Sequence, residues 1–299
     1  MIEGSGPIEK RVTVNGISLC YFEWGQVTAH QPTILLVHAT GFHARCFDAV
    51  VALLPGFHII ALDMRGHGRS DKSPPIEWAQ FGLDLAGFVR SLSLSNLVAA
   101  GHSMGGHSLV QAAAAEQHRF RSLVLVDPVI LAPEAYAAVP AWRSAAEHPV
   151  ARRKHTFASP AEFRKNLEGR GSFALWEPRV LRDYCDFGVL PRADGAGYEL
   201  ACPPLVEATI YLGSTSHNIL SLPPGINLPV TVLRALERGD TQVAVDFSKS
   251  PTWPGLAALF PKGEDVYLPH LSHFIPMQAP GVLARYLQDH VSQFEGESR

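Results

Sequence analysis

Short apolar runs recur along the first half of the chain, and each breaks at a turn-forming or charged residue. Arg11–Val14 and Ser18–Trp24 predict two strands, and Asn15-Gly16 between them is a hairpin signal. Thr33–Val37 and His58–Leu62, the second ending at Asp63, predict two more. Trp78–Leu92 has helical periodicity, with Phe81, Leu83, Leu85, Phe88 and Val89 assigned to one stripe. A strand over Asn96–Ala100, a helix over 104–116 and a strand over Leu123–Val126, ending in Asp127-Pro128, complete the series. The strands are apolar throughout instead of alternating with polar residues. That pattern belongs to a parallel sheet covered by helices on both faces.

The alternation stops near Leu131. From there to Pro224 the pattern shows helical pieces, clustered aromatics and many Pro and Gly residues. It resumes with strands at Pro229–Leu233 and Val266–Pro269 and an amphipathic helix at Val282–Phe294. The expected organisation is an α/β core made of residues 1–131 and 225–299, interrupted by a helical insertion at 132–224.

Composition narrows the function classes. The chain has 299 residues, a formal charge of −3 and scattered Lys and Arg, so no basic footprint for nucleic acid appears. No apolar run reaches the roughly 18 residues a membrane helix needs, so no membrane partner is expected. The N-terminal stretch has no apolar leader segment. The four cysteines (Cys20, Cys46, Cys185, Cys202) are widely separated, which favours unpaired thiols and a cytoplasmic location. The 14 histidines include no H-E-x-x-H or paired ligand spacing, so no metal and no cofactor are expected.

The chemistry concentrates at Gly101-His102-Ser103-Met104-Gly105-Gly106, a G-x-S-x-G pattern between a predicted strand and a predicted helix. The turn forces the serine into a strained backbone conformation, and side chains at 101 and 105 would collide with neighbouring elements. The hydroxyl is thereby lifted toward a base, which makes Ser103 the candidate nucleophile. A serine hydroxyl alone is a weak nucleophile near neutral pH, so that base is required. Arg65, His67 and Arg69 lie in a glycine-rich loop whose spacing fits neither a phosphate loop nor a dinucleotide fingerprint, and they read as a structural turn. His38 and His102 read as packing and loop-bracing residues.

With His38-Ala39-Thr40-Gly41, Asp63-Met64-Arg65-Gly66-His67-Gly68-Arg69-Ser70, the Ser103 elbow and Leu271-Ser272-His273-Phe274 in this order, the chain resembles the α/β-hydrolase superfamily, specifically its capped serine hydrolases. The resemblance spans essentially the whole core. It implies a mostly parallel sheet with helices on both faces and makes the insertion a cap. It also points to His273 as the base, although the family usually has Gly-His where this chain has Ser272-His273. His270 is the competing position. The family most often takes the acid from the loop after the Pro229–Leu233 strand, which offers Glu237 and Asp240. Some members take it from the end of the preceding strand, where Asp127 sits, and Pro128 is expected to hold Asp127 extended. Asp127 ranks first, then Glu237, then Asp240. The oxyanion donors implied are the N–H groups of Met104 and Thr40, with Ala39 replacing the family's usual glycine. Phe42 and His43 are substrate-contact candidates, as are the cap residues Trp142 and Trp176.

The implied activity is cofactor-independent cleavage of a small-to-medium apolar ester, lactone or thioester through an acyl-enzyme. A C–C bond hydrolase acting next to a ketone and a non-catalytic ligand receptor stay open as alternatives. Dehalogenase and epoxide hydrolase readings are disfavoured, because those relatives carry Asp where Ser103 stands. The implied partner is a small-molecule substrate, with a homodimer left open.

Overall fold

The computed structural model describes residues 6–28, 31–137, 142–237 and 248–294. Its main sheet opens with an antiparallel hairpin, β1 (Ile8–Val14) and β2 (Ile17–Trp24). Asn15 and Gly16 turn it with φ of 47° and 78°, the left-handed geometry that matches strand twist. Then come β3 (Thr33–Val37), β4 (Ile59–Leu62), β5 (Leu97–His102) and β6 (Phe120–Val126). A long excursion carries β7 (Thr156–Phe157), β8 (Val189–Pro191) and β9 (Tyr198–Leu200), and β10 (Val230–Arg234) and β11 (Gly263–Tyr267) return to the main sheet. The eight-stranded order is β1-β2-β4-β3-β5-β6-β10-β11, parallel from β4 to β11.

Each parallel strand sends alternate side chains to opposite faces. Leu35, Val37, Ile60 and Leu62 pack under α2 (Trp78–Ser91) and α3 (Met104–Ala115), while Ile34, Leu36, Ile59 and Ala61 pack under α1 (Asp48–Val51) and a C-terminal helix, Pro280–Ser292. Burying both faces is why these strands read as unbroken apolar runs. One residue departs from its assigned stripe. Leu83 is 58% exposed, because a residue two positions from Phe81 lies on the opposite side of a helix. β11 begins earlier than its apolar residues suggest. It is an edge strand with an exposed Gly263-Glu264-Asp265 start, so hydrophobicity marks only its second half.

The segment between β6 and β10 contains α4 (Pro160–Leu167), α5 (Pro178–Phe187) and α6 (Pro204–Leu212). It is not wholly helical: β7, β9 and β8 form a three-stranded antiparallel sheet. Strands of two or three residues are too short to show alternation in sequence. The lobe does not keep a private core. Phe157, Phe163, Trp176, Leu181 and Tyr184 share one apolar cluster with Ala39, Phe42 and Cys46 of the main domain.

The Asp63–Ser70 loop is a brace. Asp63 accepts hydrogen bonds from Ala44 N–H and Arg69 N–H, both at 2.7 Å. The Ser70 hydroxyl donates to Asp63 O at 2.6 Å and accepts from Cys20 N–H at 2.7 Å. Arg65, 2% exposed, forms a bidentate pair of 2.6 and 2.9 Å with the fully buried Asp84. Removing one partner strands a buried charge, so Asp84→Ala is expected to cost about 3–5 kcal/mol, read from the urea midpoint. The double variant Arg65→Met/Asp84→Leu should recover most of that loss. A single-variant loss below about 1 kcal/mol, the range of an exposed pair, would contradict a structural role for this ion pair.

Candidate active site

Ser103 stands between β5 and α3 with φ 57° and ψ −117°, a conformation an L-residue holds only when its surroundings fix it. Its N–H donates to Val126 O at 3.0 Å, and its carbonyl accepts from Val129 N–H at 3.1 Å. Missing side chains make room for the turn. A Cβ on Gly101 would fall on the Gly105 main chain, and one on Gly105 on the carbonyls of Val37 and His38. The elbow can therefore pack directly on β3.

Two hydrogen bonds link Ser103 to a buried carboxylate. His273 Nδ1 lies 2.6 Å from Asp127 Oδ2, and His273 Nε2 lies 3.0 Å from Ser103 Oγ. The carboxylate accepts, so Nδ1 carries the proton, and Nε2 is left to accept from the serine hydroxyl. Asp127 is fully buried. Its Oδ1 accepts from Ala235 N–H at 2.9 Å, Ser250 Oγ at 2.5 Å and Thr252 Oγ1 at 3.3 Å. These donors replace the water a buried anion loses. The Asp127 backbone is not extended, as the following proline suggested. Its φ is 44°, a left-handed conformation that Asp tolerates better than most residues, and its N–H donates to Leu233 O at 2.7 Å.

The other acid candidates fall elsewhere. Glu237 is half-exposed and pairs with Arg234 at 2.8 Å. Its carboxylate is engaged by Arg234, and among the described residues no hydrogen bond joins it to His273. Asp240 lies outside the described residues. His270 is exposed, whereas His273 is buried.

The N–H groups of Thr40 and Met104 have no hydrogen-bond acceptor among the described residues. Ala39, before Thr40, does not need a positive φ, so the missing glycine costs the loop nothing there. Gly41 does need one, at 78°, and a Cβ there would lie 2.6 Å from Glu207 Oε1. His38 braces this loop from below. Its Nδ1 donates to Ala39 O at 2.8 Å and its Nε2 accepts from Met64 N–H at 2.9 Å. Burial pushes its imidazole down to about 4, which keeps it neutral in this dual role. His102 braces His273. Its Nε2 donates to His273 O at 2.8 Å, and burial, with His273 beside it, pushes it down to about 3.

A cavity of about 240 Å³ opens above Ser103 and His273. Thr40, Phe42 and Phe274 line it from the main domain, and Tyr211, Ser214 and Thr215 from the lobe. Trp78, Val129, Leu131 and Lys249 complete much of the wall. Of the substrate-contact candidates, Phe42 faces this cavity. His43 does not: it is buried against Tyr184, donating from Nε2 to Tyr184 O at 3.1 Å. Trp176 packs on Phe42, Phe173 and Tyr184 inside the shared cluster, one layer behind the wall. Trp142 stacks edge-on to His148, 4.3 Å away, within the lobe. Sequence reasoning missed Trp78, Lys249 and the Asp127 donors Ser250 and Thr252. Trp78 read only as a helix start, and the Ser248–Thr252 stretch carries no motif. Among the described residues no cluster of three or more His, Cys, Asp or Glu has metal-ligating geometry. No helix there is long and apolar enough to cross a membrane.

Comparison with known proteins agrees with this geometry. Residues 34–286 match the model of the alpha/beta hydrolase family. The 2-(acetamidomethylene)succinate hydrolase of Mesorhizobium japonicum is 34% identical over 122 residues, 40% of this chain and 42% of that relative. The chain thus aligns with less than half of that protein's length. Lipase LipV of Mycobacterium tuberculosis is 26% identical over 212 residues, 71% of this chain and 76% of that one. Among solved structures, E-2-(acetamidomethylene)succinate hydrolase superposes with a TM-score of 0.75 at 23% identity, covering 96% of this chain and 99% of that one. The enol-lactonase of Burkholderia xenovorans gives 0.68 at 20% identity, covering 95% and 100%. Both structural likenesses speak to the fold.

Asp127→Asn should turn the imidazole to the wrong tautomer and lower kcat on any hydrolysed ester by up to roughly ten-thousand-fold. Glu237→Gln, at a residue paired with Arg234 instead of His273, should stay within about threefold of wild type. Steady-state rates of the two variants side by side check this, and the reverse ranking would move the acid to the later loop.

Proposed function

The chain belongs to the alpha/beta hydrolase family, and on that premise we propose that it is a serine hydrolase cleaving a small-to-medium ester, lactone or thioester with an apolar acyl part. The observation that carries this reading is the Asp127–His273–Ser103 hydrogen-bond chain opening onto a mostly apolar cavity. Ser103 Oγ attacks the carbonyl carbon while its proton passes to His273 Nε2. Asp127 stabilises the imidazolium so formed. The carbonyl oxygen becomes an oxyanion and takes the free N–H groups of Thr40 and Met104, each worth roughly 2.7–4 kcal/mol of barrier. The C–O or C–S bond then breaks and His273 returns the proton to the departing alcohol or thiol. Water, activated by the same histidine, hydrolyses the acyl-Ser103 ester. The 132–224 lobe acts as a cap: Tyr211, Ser214 and Thr215 close the cavity and shape substrate choice without supplying a catalytic group. The volume favours a compact substrate. A relative named as a lipase supports ester chemistry.

A fluorophosphonate probe should label one site, and Ser103→Ala should abolish labelling and lower ester turnover by several orders of magnitude. A panel of p-nitrophenyl esters of increasing chain length, run beside that variant, should show a preference for short acyl groups. Labelling that survives Ser103→Ala, or labelling without turnover of any ester, would overturn the assignment.

A further inference from the structure

Lys249 is the residue of this cavity that the hydrolase reading leaves without a task. Apart from His273, it is the only ionisable side chain among the described lining residues able to carry a positive charge, and those described residues include no carboxylate. Among the described residues it forms no ion pair or hydrogen bond. Its position is nonetheless set by the catalytic groups. Ser248 O accepts from His273 N–H at 3.2 Å, and Ser250 donates from Oγ to Asp127 and from N–H to Leu236 O at 2.8 Å. The main chain on both sides of Lys249 is thus pinned to the base and to the acid.

An ammonium on a residue that lines a concave, mostly apolar cavity raises the local potential and concentrates anions. Lys249 is part-buried, and among the described residues no ion pair compensates its charge. A bound anion would supply that compensation. The same cavity is lined by apolar Trp78, Val129 and Leu131, with hydroxyls at Ser214 and Thr215. The complementary ligand has a short apolar body and an anionic end.

Building on the serine-hydrolase reading, we propose that Lys249 binds a carboxylate carried by the substrate, so that the preferred substrates are esters of small acids bearing a second, free carboxylate. The carboxylate takes no part in bond making. It orients the scissile carbonyl over Ser103 through a charge-assisted hydrogen bond to Nζ.

Monomethyl succinate and methyl butyrate are the test pair, since they share a four-carbon acyl chain and differ by a terminal carboxylate. Released acid can be followed by pH-stat titration. Wild type should favour monomethyl succinate in kcat/KM, and Lys249→Gln should lower the succinate-to-butyrate ratio roughly ten- to hundredfold, the range of one charge-assisted hydrogen bond. Lys249→Arg should restore part of the ratio. Binding of both esters to the Ser103→Ala variant, measured by calorimetry, decides the point without turnover. Adding Lys249→Gln should weaken monomethyl succinate roughly tenfold or more relative to methyl butyrate. An unchanged ratio in both measurements, or a wild-type preference for methyl butyrate, would overturn the proposal. Charge-dependent binding with no turnover of either ester would instead fault the hydrolase reading and leave Lys249 as an anion site.

Discussion

The contact between His273 Nδ1 and Asp127 Oδ2 joins residues 146 positions apart across 2.6 Å, and the site is organised around it. It ties the end of β6 to the loop after β11, so β10 must lie between them and in register. A carboxylate so deeply buried is tolerable only when its oxygens are saturated with donors. Ala235, Ser250 and Thr252 supply them, and the same residues fix the loop that carries Lys249. Charge, backbone and cavity wall are in this sense one construction. Disturbing Asp127 would be felt at the imidazole tautomer and at the cavity wall together.

The second requirement is steric. Ser103 reaches its imidazole because the elbow lies directly on β3, and that approach needs hydrogen in place of Cβ at Gly101 and Gly105. The strain at Ser103 is held by main-chain bonds to Val126 and Val129, on the strand end that also delivers Asp127. Below the Thr40 loop, neutral His38 bonds in both directions, which burial enforces. Above it, Phe42 belongs both to the cavity wall and to the aromatic cluster of the lobe. Lobe and core are therefore coupled by packing at the loop that carries Thr40.

What could be read from sequence followed from local constraints. Apolar runs marked strands buried on both faces, and the elbow spacing marked a turn that allows no side chains. Asn15-Gly16 marked a hairpin, because few other residues accept two successive positive φ values. What could not be read depends on distance between remote residues. Asp127, Glu237 and Asp240 all sit after strands, and only the three-dimensional arrangement brings Asp127 to His273 and turns Glu237 toward Arg234. Ser250 and Thr252 carry no signal because hydroxyl donors are common in loops. Trp142 and Trp176 announced aromatic surface, but composition does not say whether a ring faces the cavity or packs behind it, as both of these do. The strands β7 to β9 were too short for any period to register.

The central claim is that Ser103, His273 and Asp127 act as one unit, each useless without the others. The most direct test is a double-mutant cycle in kcat on a p-nitrophenyl ester, using Ser103→Ala, His273→Ala and the pair combined. If they form one unit, each single variant loses nearly everything and the double variant is no slower than either. Losses that multiply, with the double variant slower by the product of the two single effects, would mean independent contributions and would contradict the account.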